Sequence, residues 1–320
     1  MHEVLAAFVA GAPVARQLLA RGEEVNTDDR NPVEFAFARM VSGTSAFDVE
    51  RLRAEAAALG ADRPSVDGPV DWDRVARHRV EIYTLANDTA PVAPQASEAD
   101  RRRAEAHALY ARGRVTEALE AFRKQPRPAS GLVETALFAE GLAERGELEA
   151  TPYIATLGAA VPPEADAAAA RLAYRRGRLD LAVASLQSAF TRYRSDPWPH
   201  QSPMSRALAL AREIAAAHPS AAPVLLDALA RPFAVRALEQ ERNVSRVAIA
   251  RAAGLWDRCR DALDPLEPFV PWWPDILRYR AECYERRRDG RARRAAAELD
   301  EFVGAQPSPV PAPARPSAVP

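Results

Sequence analysis

Residues able to do chemistry are thinly spread along this chain. Cys259 and Cys283 show no CxxC spacing, so neither a zinc site nor a redox motif is spelled out. His2, His78, His107, His200 and His218 stand singly, none three or four residues from another His or Cys, and support no metal centre. No GxGxxG, GxSxG or HExxH pattern occurs, which removes the usual phosphate cradles, nucleophile elbows and zinc-hydrolase helices. What remains is an acidic turn at Asn26-Thr27-Asp28-Asp29-Arg30, two arginine-rich runs, and tryptophans bracketed by prolines.

The arginine runs are Arg101 to Arg103 and Arg286 to Arg294. Such guanidinium groups can take phosphate or an acidic peptide. The second run, however, is interleaved with Glu282, Glu285, Asp289 and Glu298, the pattern of charge pairing on helix surfaces. Aromatic interleaving for base stacking is limited to Tyr279 and Tyr284, so no nucleic-acid partner is expected. Trp272 and Trp273 lie between Pro271 and Pro274, and Trp198 lies between Pro197 and Pro199, in segments that read as rigid loops. Aromatic residues there can plug gaps between units or anchor a partner.

The elements that must position these residues are helical. Alanine and arginine dominate the 320 residues, and a formal net charge of −1 gives no overall field towards polyanions or membrane surfaces. No stretch approaches the roughly 20 apolar residues of a membrane span, and the N-terminus lacks a secretory pattern. A reducing, cytoplasmic setting is expected, with the two cysteines as small packing residues.

The clearest pattern is AEAHALYARGRVTEALEAF, residues 104 to 122, which reads as two short helices hinged at Gly113. Helices this short need neighbours to bury their apolar faces. Glycines expected to close the first helix of each pair stand at Gly113, Gly146, Gly177, Gly254 and Gly290, spaced 33, 31, 77 and 36 residues apart. The long interval holds one further pair turning at His218-Pro219, which makes six units. Seven residues before and five after these glycines the chain places Ala106 and Ala118, Ala170 and Ala182, Val247 and Cys259, and Cys283 and Ala295. Larger residues follow at nine: Phe122, Leu186, Leu263 and Leu299. The Gly146 unit fits at Ala139 but not at Thr151 or Ala155.

These offsets resemble the tetratricopeptide repeat over about residues 98 to 305. The resemblance implies an all-α helix-turn-helix solenoid whose inner helices form a groove for a protein or peptide partner. Arg102, Glu105, His107, Arg171 and Arg280 are then candidates to line it, with Trp272 and Trp273 as further contacts.

Before the array, Val33, Phe35 and Phe37 alternate with smaller or polar residues, the period of a strand. Asn26, Thr27, Asp28, Asp29 and Arg30, followed by Glu34, resemble an element near the end of the catalytic domain of bacterial spermidine synthase-like proteins, some of them fused to membrane transporter-like segments. Asn31 before Pro32 departs from that pattern.

The resemblance implies a short α/β remnant of one helix and one strand at residues 1 to 43, and leaves the role of the motif open. A helical adaptor and Pro-rich linker are expected over 44 to 97, and a Pro-rich tail over 306 to 320. No cofactor is expected, since the glycine-rich loop of such an enzyme has no counterpart here. The function expected is a protein-interaction scaffold. Its alternative is the docking or regulatory part of an aminopropyltransferase with its catalytic domain upstream, in which case a membrane-embedded partner enters.

Overall fold

The computed structural model describes residues 96–196, 200–234 and 238–305, together with the single positions Ala54 and Thr84, both helical. The NTDDR motif, the expected strand, Trp198 and the Pro-rich tail lie outside the described residues. Among the described residues the fold is all-α, with twelve α-helices and two single 3-10 turns. We number them α1 (Glu98–Ala111), α2 (Val115–Arg123), α3 (Gly131–Glu144), α4 (Ala150–Ala160), α5 (Pro162–Arg175) and α6 (Leu179–Tyr193). There follow α7 (Gln201–Ala217), α8 (Ala222–Ala228), α9 (Glu239–Ala252), α10 (Trp256–Leu263), α11 (Pro274–Arg286) and α12 (Ala292–Gly304). None is long and apolar enough to cross a membrane.

The chain starts the array with a reciprocal cap. Ser97 Oγ accepts from the Asp100 backbone N–H and the Asp100 carboxylate accepts from that of Ser97, both at 3.2 Å, satisfying two donors that the first turn of α1 leaves open. The Ser97 hydroxyl, and after it Arg127, hold the Asp100 carboxyl down at about 2.

Each hinge is built the same way. Gly113 has a φ of +77°, its N–H donates to the Tyr110 carbonyl and that of Arg114 to the Leu109 carbonyl, both at 2.9 Å. This double bond closes the helix through a left-handed residue that glycine adopts without steric penalty. Gly146, Gly177 and Gly254 repeat it.

The fifth hinge corrects the sequence expectation. Gly290 does not close α11. The left-handed position is Arg288 (φ 50°), whose N–H donates to the Glu285 carbonyl while that of Asp289 donates to the Tyr284 carbonyl. The helix stops early because Asp289 organises the turn, accepting at 2.9 Å from both the backbone N–H and Nε of Arg291. The Arg291 side chain, then its backbone N–H, hold the Asp289 carboxyl at about 2. The longer turn compensates for the shorter helix, and Cys283 and Ala295 remain buried together as the offsets required. Arg288 is exposed and its Cβ is unfavourable in this conformation. Arg288→Gly is therefore expected to stabilise the protein by about 0.5–1 kcal/mol, seen as a higher urea midpoint with unchanged slope.

The chain divides into two compact units, one running to Ala211 with the segment Ala230–Leu238, the other formed by Arg212–Leu229 and the chain from Glu239. In the first, α1 packs on α2, α3 on α4 and α5 on α6, while α3 also meets α1, α2 and α5. The core is made of small residues with aromatic fill: Ala106, Ala118, Leu119, Phe122 and Leu137 are almost fully enclosed. Phe138 meets Phe122 edge-on at 5.2 Å and Tyr153 at 4.9 Å. Gly141 lies mid-helix for a packing reason. A Cβ there would sit 3.0 Å from Leu119 Cβ and 3.1 Å from the Val115 carbonyl, so only glycine lets α3 approach α2 this closely.

In the α3–α4 pair, Thr151 and Ala155 are exposed, and Ala150 and Leu157 supply the buried contacts instead. In the second unit α9 packs on α10 and α11 on α12, with α9 and α10 both touching α11. Val247, Cys259, Leu263, Ile276, Leu277 and Cys283 form its interior.

The two cysteines depart from expectation. Cys259 of α10 and Cys283 of α11 are joined in a disulfide, with Cα atoms 6.1 Å apart, within the range such a bond spans. They do occupy packing positions, since both are fully buried, but the reading of them as separate reduced thiols is overturned. Offsets within each repeat placed the two residues correctly. Only the packing of one repeat on the next brings the sulfurs together.

Candidate functional site

Two carboxylates of α3 are each bracketed by two basic side chains, one helical turn apart, on a neighbouring helix. Glu134 is one. Its side chain is 3% exposed and accepts from Arg103 Nε at 2.8 Å and from the Ser130 backbone N–H at 2.7 Å, with His107 Nε2 at 3.1 Å. Burial alone would push this carboxyl up; His107, Arg103 and the Ser130 N–H outweigh it and hold it below the usual range. Glu144 of α3 is similarly met by Arg171 at 3.1 Å and by Arg175 Nε at 3.0 Å, one turn apart on α5.

Between these helices opens a cleft. Glu140 and Glu144 of α3, Arg171 of α5 and Arg206 of α7 form its rim, over a floor that includes Ala168 and Leu210. Glu140 receives Tyr110 Oη at 2.6 Å and both Nε (2.6 Å) and Nη2 (2.8 Å) of Arg206, whose guanidinium lies 4.8 Å from the Tyr110 ring centre. Ser202 Oγ reaches the Ala111 carbonyl at 3.5 Å, bringing the start of α7 to the end of α1. The two-pronged Arg206–Glu140 pair thus ties α7 to α3 across the cleft, a geometry that lysine could not reproduce.

Of the residues named as groove candidates from the sequence, Arg171 lines this cleft. Arg102 bonds the Lys124 carbonyl at 2.7 Å and fastens α1 to the end of α2. Glu105 is exposed on α1. His107 is committed to Glu134 and does not face the cleft rim.

Arg280 is a correction: its side chain is 1% exposed, donating to Glu267 at 2.7 Å and to Glu298, so it bridges elements of the second unit rather than facing a partner. Tyr284 Oη donates to the same Glu267 at 3.0 Å, and the Arg291 guanidinium stacks 4.3 Å from the Tyr284 ring centre. Trp272 and Trp273 are about half exposed, at 48% and 50%, and Trp272 meets Phe302 edge-on at 6.1 Å. Sequence reasoning passed over Phe269, which is 90% exposed in the same loop.

It also passed over Glu134, Glu140 and Arg206. A signal for part of this existed. Arg103 and Glu134, Glu144 and Arg175, and Arg251 and Glu282 are opposite charges each 31 residues apart, the distance by which one repeat's helix meets the next. The arginine run near the C-terminus is paired too: Arg287 with Asp257, Arg291 with Asp289 and Asp264, and Arg294 with Glu298. Among the described residues no group of His, Cys, Asp and Glu could hold a metal ion.

The fold and the cleft define a class: among the described residues, an all-α arrangement of helix pairs with a charge-rimmed cleft among the helices of the first unit. Comparison with known protein families, curated proteins and solved structures finds no match.

Proposed function

We propose that this chain is a protein-interaction module of the tetratricopeptide type, taking a peptide segment of a partner in the cleft of its first unit. The observation that carries this reading is the cleft's construction: a small-residue floor within a rim of four charged side chains, on helices fixed by the buried Glu134 network and the part-exposed pairing of Glu144 with Arg171 and Arg175. Small floor residues admit a partner side chain, and the rim offers both signs of charge to a peptide backbone and its flanking groups. The helix pairs and their left-handed glycine hinges support the repeat assignment. A cytoplasmic setting belongs to the same proposal and requires the fully buried Cys259–Cys283 disulfide to be shielded there from reductants.

The test is affinity capture on the immobilised full chain, with Arg206→Glu as the comparison. Reversing this rim charge removes the guanidinium offered to the partner and leaves two carboxylates, at 206 and Glu140, on the rim; retained partner should fall at least tenfold. A far-UV circular dichroism spectrum checks that the variant is folded. Retention unchanged by the substitution, or no specific retention at all, rejects the cleft as the binding site.

A further inference from the structure

The last helix of the second unit carries an apolar face that no element covers among the described residues. α10 is packed between α9 and α11, whereas α12 packs on α11 and no later helix pair follows it there. The repeat register shows the consequence. Leu299 is the counterpart of Phe122, Leu186 and Leu263, all closed off from solvent, yet Leu299 is only part-buried. Ala295, on the inner face of α12, is fully buried, and Phe302 on the inner flank meets Trp272.

Ala292, Ala296, Leu299 and Val303 are spaced four, three and four residues apart, which sets them in one strip along α12 beside that inner face. Val303 is 61% exposed, Ala296 is exposed, and Ala292 and Leu299 are part-buried. Arg293 and Asp300 border the strip on its outer side. Both are exposed and make no ion pair among the described residues, whereas Arg291, Arg294 and Glu298 of the same segment are paired within the chain. Glu301, also without an ion pair, lies on the opposite side of the helix. End units of helical arrays ordinarily turn a polar face outward, and this strip is apolar.

The strip is complementary to itself. A second α12 laid antiparallel, about a two-fold axis midway between Ala296 and Leu299, sets Ala296 against the partner's Leu299 and Ala292 against the partner's Val303, small against large. The same operation brings Arg293 to the partner's Asp300 and Asp300 to the partner's Arg293. A parallel alignment would set Ala296 against the partner's Ala296, leaving a gap, and would keep the two charges apart.

We propose that the chain pairs with a second copy of itself through α12, as an antiparallel two-fold dimer. One helix laid on another buries less than the roughly 1,200 Å² of a standard interface, so the dissociation constant is expected at about 10–100 µM. The two-fold closes the assembly at two copies.

Sedimentation equilibrium of the full chain over about 1–300 µM tests this, with circular dichroism to check that each variant is folded. A monomer–dimer equilibrium with no larger species is expected. Val303→Glu and Ala296→Glu, both at exposed positions, should each weaken dimerisation at least tenfold, since each puts two charges into the seam. Arg293→Glu and Asp300→Arg should each weaken it several-fold by setting like charges opposite one another. An equimolar mixture of these last two variants should regain the native affinity, because one pair is then native and the other has its signs exchanged. A chain that stays monomeric up to about 300 µM, open-ended larger species, a dimer indifferent to both seam variants, or a mixture no tighter than either variant alone overturns the proposal.

Discussion

Replacing Glu134 with alanine is expected to destabilise the first unit by about 3–5 kcal/mol, the range for removing one partner of a buried ion pair. The loss arises less from the contact than from what is left behind. Arg103 and His107 would face a buried hole, and the Ser130 N–H would lose its acceptor at the first turn of α3. Glu134→Gln keeps an acceptor for that N–H but not the charge, so its cost should be smaller. Urea denaturation followed by circular dichroism gives both values, provided the transition of the first unit is resolved from that of the second.

The same residue sets a pH dependence. Its folded pKa is lowered relative to an unfolded value near ~4.3, so its stabilisation is present above that value and is lost as pH falls through the lower folded pKa. Acid destabilisation below about pH 4 should therefore be shallower in Glu134→Gln, which has no such proton to take up. Identical acid limbs in the two proteins would show that Glu134 does not carry it.

The second large effect is expected at Arg280→Met, which should cost about 3 kcal/mol although methionine fills much of the same space. The guanidinium is fully enclosed and joins Glu267, which precedes α11, to Glu298 on α12. Those carboxylates are 16% and 21% exposed, so water screens part of the loss and places it at the low end of the range. The triple change Arg280→Met, Glu267→Gln and Glu298→Gln should recover part of it, because no carboxylate then lacks its cation. A triple variant less stable than Arg280→Met alone would contradict this account. Partner capture through the first unit should be unaffected by either variant, since Arg280 lies in the other unit.

How far the sequence reached differs by level. The left-handed hinges at Gly113, Gly146, Gly177 and Gly254 were legible because a helix that must end and reverse within three residues leaves few residue types able to do it. Gly290 misled for an equally local reason: the Asp289–Arg291 turn stops α11 two residues sooner, and no glycine rule registers a side chain accepting from the backbone two residues on. The small residues at 106, 118, 170 and 182 were legible as well, since close helix packing demands them at a fixed distance from the hinge. Gly141 was not singled out, because its partner, Leu119, belongs to the previous repeat.

By itself the sequence determined the helical class, the helix pairs and which faces carry small residues, because these depend on propensities and spacings within about one repeat. The tertiary structure alone decided which charges meet. Glu134 with Arg103 and His107, Glu140 with Arg206, and Cys259 with Cys283 are contacts made by stacking one helix pair on another. An arginine on a helix surface reads the same in sequence whether it faces solvent, a cleft or a buried carboxylate. Arg102, Arg171 and Arg280 looked alike there, and packing sent them to a backbone carbonyl, a cleft rim and a sealed ion pair.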